Sequence, residues 1–219
     1  MITRVGFLAL VMTLAACQHG ADAPSASEAA DGWYTGFLAD ELHAIPVVDQ
    51  HRIAPAFRRQ VVAYDGPARP GTIVVDIDDR HLYLVEPGGR AVRYGIGVGR
   101  DGLALWGTAE VGRKGVWPDW SPTGTMLRVR PDLPRYLSGG LDNPLGARAL
   151  YLYRDGRDTR FRIHGTNEPW SIGEAVSSGC IRLLNEDVAD LYGRVQVGAQ
   201  VVIRRGEPGP RAEPDDAVL

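Results

Sequence analysis

The segment TIVVDIDDRHLYLVEPGGRAVRYGIGVG, residues 72–99, constrains the fold more than any other part of the chain. Its β-branched and aromatic runs, Thr72–Asp76, His81–Glu86 and Ala91–Val98, read as three successive strands, and Pro87-Gly88-Gly89 is a turn. Such a meander commits the chain to a sheet. Further strands are predicted at residues 147–154 (ARALYLYR), at Arg160–His164 and at Val195–Ile203. The 27 glycines and 15 prolines suit short strands and turns better than a helical bundle. One amphipathic helix is predicted late in the chain, where Leu184, Val188 and Leu191 recur at helical spacing. Asn185 reads as its N-cap, Glu186 and Asp187 favour its positive end, and Gly193 is a stop. Short helical turns are predicted around Phe37–Leu42 and Pro55–Val62. Between Gly99 and Gly146 the pattern breaks into glycine, proline and tryptophan, and no element is assigned. The fold class that follows is mainly β with short helices.

A length of 219 residues allows one domain or two small ones. A net charge of −3 with no basic block gives no reason to expect a nucleic-acid partner. The first residues, MITRVGFLALVMTLAAC, carry Arg4 and then an apolar run from Val5 to Ala16, too short to span a bilayer and suited to a secretory signal over 1–16. Leu14-Ala15-Ala16-Cys17 resembles the bacterial lipobox, in which cleavage precedes a cysteine that carries lipid. An ordinary signal with Cys17 incidental is the other reading; lipidation is preferred. Residues 18–32 are small and polar, as a tether is. Residues 33–65 form an N-terminal extension, closed by the loop DGPARPG. The domain runs over 66–203, and 204–219 is a disordered tail by composition.

With Cys17 lipidated, Cys180 has no partner in the mature chain. An exported compartment oxidises thiols, so a lone cysteine is either a reagent or a small buried hydrophobe. His164 ends the run FRIH and enters the loop GTNEPWS, a rigid support for a reacting side chain. Ser177-Ser178-Gly179 precede Cys180, and a glycine there lets consecutive N–H groups turn into one pocket able to hold an oxyanion. A thiol needs a base or a positive neighbour to react, and His164 is the candidate. Arg182 is open to two readings: a charge that favours thiolate and grips a carboxylate, or a surface residue paired with Glu186 or Asp187. Zinc is disfavoured, because no third ligand joins Cys180 and His164 in sequence and His19, His43, His51 and His81 lack ligand spacing. His81 itself reads as a solvent-facing strand residue. Of Trp106, Trp117 and Trp120, two are assigned to packing, and a groove-lining role stays open.

The stretch IHGTNEPWSIG…AVSSGCIRLLNEDVADLYGRVQVGAQVVI resembles the catalytic motif region of bacterial L,D-transpeptidases, the YkuD-domain family. GTIVVDIDDRHLYLV, YGIGVGR and DNPLGARALYL are similar to that family as well, so the likeness covers roughly residues 55–203. The resemblance implies a β-sandwich-like assembly of mixed sheets. It implies Cys180 as nucleophile, His164 as proton acceptor and donor, and the Gly165 carbonyl as the group that orients His164. Backbone N–H groups of Ser178, Gly179 and Cys180 become the oxyanion hole, and Arg182 meets substrate. No metal or organic cofactor is implied.

The implied partners are peptidoglycan stem peptides, with a second stem or an outer-membrane protein supplying the acceptor amine, and carbapenems as inhibitors. The implied place is the periplasm, with a lipid on Cys17 as anchor. Many family members carry histidine where this chain has Ser178, and a serine cannot shuttle protons at neutral pH, so His164 must meet the base requirement alone. Two other functions remain open: hydrolysis by an L,D-carboxypeptidase on the same fold, and a non-enzymatic peptidoglycan-binding lipoprotein.

Overall fold

The computed structural model describes residues 32–99, 105–177 and 179–205. Cys17, Ser178 and most of the signal, tether and tail lie outside the described residues. Strands β1 (Tyr34–Leu38) and β2 (Ile45–Val48) form a hairpin, followed by β3 (Gln60–Ala63), β4 (Ile73–Asp76), β5 (His81–Glu86), β6 (Arg90–Gly95) and β7 (Val98–Gly99). Then come β8 (Gly107–Val116), helix α1 (Gly124–Val129), β9 (Arg148–Arg154), β10 (Arg157–His164), β11 (Ala175–Ser177) and β12 (Ile181–Arg182). Helix α2 (Asn185–Arg194) and β13 (Gln200–Arg204) complete the described elements. Nine strands form one mixed sheet in the order β12-β10-β9-β8-β13-β4-β5-β6-β3, and β1-β2 and β11-β7 are separate pairs. The pairs β10/β12 and β13/β4 are parallel. This is the mainly β class with short helices read from the sequence. Among the described residues no helix is long and apolar enough to cross a membrane.

The meander shows why apolar runs made strands here. Side chains alternate between the faces of a strand, and both faces of β4–β6 are covered. Ile73, Val75, Leu82, Leu84, Val92 and Tyr94 enter the main core, whereas Val74, Tyr83, Val85 and Ala91 enter a second cluster on the other side. Helix α2 buries the predicted face, with Val188 and Leu191 fully covered. Its start differs from the expectation: Leu184 holds the cap position and Asn185 is the first helical residue, its side chain engaged elsewhere. Gly193 lies inside the helix, which runs on to Arg194. Lys114 Nζ, from β8, donates to the carbonyls of Tyr192 and Val195 at 2.6 Å and satisfies the helix end instead.

Four further expectations need correction. Phe37 belongs to a strand, not a helical turn, because Tyr34–Leu38 finds a hairpin partner in β2. The predicted turn over Pro55–Val62 is helical only at Pro55–Phe57, and Gln60–Ala63 adds an edge strand to the main sheet, so the sheet begins before residue 66. β8, a strand between β9 and β13, lies in the stretch left unassigned. Only Ala109 and Val111 of its residues are buried, so its run GTAEVGRKGV carries almost no apolar signal. His81 is half-buried, with Nε2 2.9 Å from the Ala56 carbonyl oxygen, rather than facing solvent.

Candidate active site

β10 and β12 run parallel, with Ile163 beside Ile181 and His164 beside Arg182. The Leu183 N–H closes the pairing by donating to the His164 carbonyl at 2.8 Å. This register places the end of FRIH next to the residues that follow Cys180. Along β10 the period of two puts Arg162 and His164 toward one cleft and buries Ile163 on the opposite side, and Arg160 lines the same cleft. The cleft holds about 420 Å³ and is lined by both His164 and Cys180. Its remaining walls come from Asp119–Met126, from Pro144 and Leu145, and from Tyr151, Asp158 and Arg182.

His164 is only 4% exposed. Its Nδ1 lies 2.6 Å from the Gly165 carbonyl oxygen. A carbonyl only accepts, so Nδ1 carries the hydrogen and Nε2 keeps the lone pair. The loop that makes this contact is held by Asn185. Asn185 Oδ1 accepts from the Ala147 N–H at 2.9 Å, and Nδ2 donates to the Thr166 carbonyl at 2.8 Å. A side chain at Gly165 would run into Asn185 Oδ1, which explains why glycine follows the histidine. Beneath them, the Gly165 N–H donates to the Arg148 carbonyl at 3.0 Å. Arg148 and Trp117 both converge on Asp40: Arg148 Nη1 donates to Asp40 Oδ2 at 3.0 Å and Trp117 Nε1 donates at 2.7 Å. The hairpin loop of the extension is thus fastened under the site.

Burial sets the protonation of the pair. It pushes the His164 imidazole down to about 3, helped by the Arg182 charge and opposed by the hydrogen bond to Gly165. It pushes the Cys180 thiol up, against a backbone hydrogen bond at Arg162 and the charges of Arg162 and Arg182. Both shifts favour the uncharged forms of thiol and imidazole. At Cys180 desolvation outweighs the opposing charges of the two arginines. Gly179, just before Cys180, has φ 126°, a backbone conformation that a side chain would strain.

Arg182 is not paired with Glu186 or Asp187. Its Nη1 donates to Glu168 Oε2 at 2.6 Å, because the loop after His164 folds back over β12. Glu186 faces the other way and accepts from the Val48 N–H at 3.0 Å, and Asp187 lies 3.5 Å from Arg59. The tryptophans divide three ways: Trp117 is buried, Trp120 lines the cleft and Trp106 is 74% exposed. Asn185, Asp40 and Arg160 escaped the sequence reading.

A thiol and an imidazole thus share one cleft at the edge of a mixed sheet. The L,D-transpeptidase catalytic-domain model matches residues 70–203, and the chain belongs to that family. A probable L,D-transpeptidase, YcfS of Escherichia coli (strain K12), is 36% identical over 211 residues, covering 90% of this chain and 64% of that protein. A second from the same organism, ErfK/SrfK, is 37% identical over 151 residues, covering 65% and 47%. The chain thus spans about half to two thirds of the length of these relatives. A crystal structure from Brucella melitensis, described as a probable carnitine operon oxidoreductase, is 47% identical over 71% of this chain and 99% of that one. Its TM-score of 0.48 is too low to bear on activity.

Proposed function

We propose that this chain is a periplasmic peptidoglycan L,D-transpeptidase with Cys180 as nucleophile and His164 as proton carrier. The observation that carries the reading is that both side chains line one cleft while the Gly165 carbonyl leaves Nε2 of His164 as the basic nitrogen. The donor is a stem tetrapeptide whose third residue, a diaminopimelate, is joined to a terminal D-alanine. Cys180 Sγ attacks the third-residue carbonyl carbon as its proton passes to His164 Nε2. Because burial disfavours both charged forms beforehand, the proton moves only as negative charge builds on the carbonyl oxygen. We assign that oxygen to the backbone N–H groups of residues 178–180, and the φ of 126° at Gly179 supports a turn of this kind. The C–N bond then breaks, and His164 returns the proton to the departing D-alanine amine.

The thioester is next attacked by an amine, which gives a proton to His164 as it displaces sulfur. Protonation of Cys180 restores the resting state. The acceptor is the side-chain amine of a second stem or a lysine of an outer-membrane protein, and lipid on Cys17 anchors the enzyme at the membrane. Arg182 lines the cleft and is held by its pair with Glu168. A carbapenem would acylate the same sulfur, opening its lactam ring without losing a fragment.

Intact-mass spectrometry tests the reading. One carbapenem should add its full mass to the chain, and a tetrapeptide donor should release D-alanine and leave a thioester. Cys180→Ala should show neither change while keeping its thermal unfolding midpoint. Acylation of the alanine variant at the wild-type rate would overturn the proposal. Omitting the acceptor amine shows whether water resolves the thioester instead.

A further inference from the structure

We infer that Arg160 selects the donor peptide by binding a free carboxylate set two to three residue lengths from the reacting carbonyl; this rests on the function proposed above. Three arginines line the cleft, and two are committed. Arg162 makes a two-pronged pair with Asp158, at 2.7 and 2.8 Å, and Arg182 pairs with Glu168. Arg160 is exposed, and among the described residues its guanidinium has no acidic partner. The backbone there is unusual as well. β10 loses register with β9 between Asp158 and Arg162, which sit opposite Tyr153 and Tyr151, so extra residues are lifted out of the ladder. Side chains build this bulge: Asp158 Oδ1 accepts the Arg160 N–H at 2.7 Å, and Thr159 Oγ1 donates to the Leu152 carbonyl at 2.6 Å. Arg160 itself has φ 65°, a value that suits glycine and strains an arginine. Bulges beside sites commonly re-aim a side chain, and the side chain re-aimed here is a cation in the cleft.

The register gives the reach. Asp158 and His164 oppose Tyr153 and Ala149, so the bulge centre lies about 10 Å from His164 along the strand at the ordinary rise per residue. A γ-linked glutamate next to the reacting residue carries its free α-carboxylate at about that distance, by the extended length of the chain between them. A planar guanidinium binds a carboxylate through two parallel hydrogen bonds.

The test compares two synthetic donors, L-Ala-γ-D-Glu-diaminopimelyl-D-Ala and the same peptide with the glutamate α-carboxylate amidated. Thioester formation is followed by intact mass on the full chain. Arg160→Gln should raise KM for the acid donor about tenfold with kcat little changed, amidation should do the same to the wild type, and the two together should cost no more than either alone. Arg160→Gly separates binding from folding, because glycine suits φ 65°: its unfolding midpoint should rise while its KM rises as in the glutamine variant. An unchanged KM in both variants, or an equal penalty on the amidated donor, overturns the assignment while leaving the thioester mechanism standing. Absence of thioester from wild type with both donors would remove the mechanism and the assignment together.

Discussion

At its C-terminal end β10 is regular, buried and tied on every side; four residues earlier the same strand is bulged, exposed and strained. Ile163 and His164 keep register with β9 and β12, and the imidazole is held by the loop that Asn185 clamps. Asp158 to Arg162 leave the ladder, and Arg160 adopts φ 65°. The difference teaches a division of labour. A group that must transfer a proton needs one orientation, and burial with a committed Nδ1 supplies it. A group that meets substrate needs access and an unspent charge, which a regular, paired strand end would have denied it.

The strongest way to break this contrast is His164→Gln. Acylation by carbapenem or tetrapeptide is expected to slow about 10³-fold, the usual scale for losing a general base. The same variant reports on burial. The folded imidazole sits at about 3, below its ordinary 6.5, so its neutral form is favoured by folding. That stability is fully present above pH 6.5 and is lost as pH falls toward 3, on the order of 5 kcal/mol at the limit. Chemical denaturation of wild type against His164→Gln between pH 7 and 4 should therefore show a gap that changes in the variant's favour on acidification. A constant gap would mean that the imidazole is not desolvated.

A smaller effect is expected at Asp40. Its carboxylate is pulled below the usual range by the Arg148 guanidinium, and both side chains are nearly buried. Asp40→Ala leaves Arg148 without its partner, at a cost of about 3 kcal/mol in urea unfolding. Because the Arg148 carbonyl receives the Gly165 N–H, thioester formation should slow as well.

Asn185→Ala is next. It leaves the Ala147 N–H and the Thr166 carbonyl buried without their partners, for about 2 kcal/mol. As a positioning residue it should lower kcat about tenfold with little change in KM, whereas a purely structural residue would lower stability alone.

The mildest test sits in the bulge. Thr159→Ala removes the hydroxyl that bonds Leu152 and Phe161, at about 1 kcal/mol, and should leave carbapenem acylation at Cys180 unchanged. A large fall in acylation would show that the two halves of β10 are coupled.

Sequence legibility follows the same physics. The meander β4–β6 was readable because both its faces are buried and its apolar runs are dense. β8 was not, because its flanking strands supply its stability while its own residues are glycine and charge. His164 and Cys180 stood out by type and local pattern. Asn185 read as a cap, since nothing local says that its side chain crosses to Ala147 and Thr166. Arg182 could be named as a cleft candidate, but its partner Glu168 could not.

From its residues alone, this protein was committed to a mainly β domain with one late amphipathic helix, and a histidine and a cysteine were marked as the candidate pair. Alternation and side-chain type are local properties, and they survive in a linear string. Only the tertiary structure decided that burial favours the uncharged forms of the pair, that the extension is fastened beneath it through Asp40, and which of three arginines keeps an unspent charge. Those outcomes depend on burial and on contacts between residues distant in sequence, such as Asp40 with Arg148 and Ala147 with Asn185. No local pattern encodes a desolvation that the folded neighbours create.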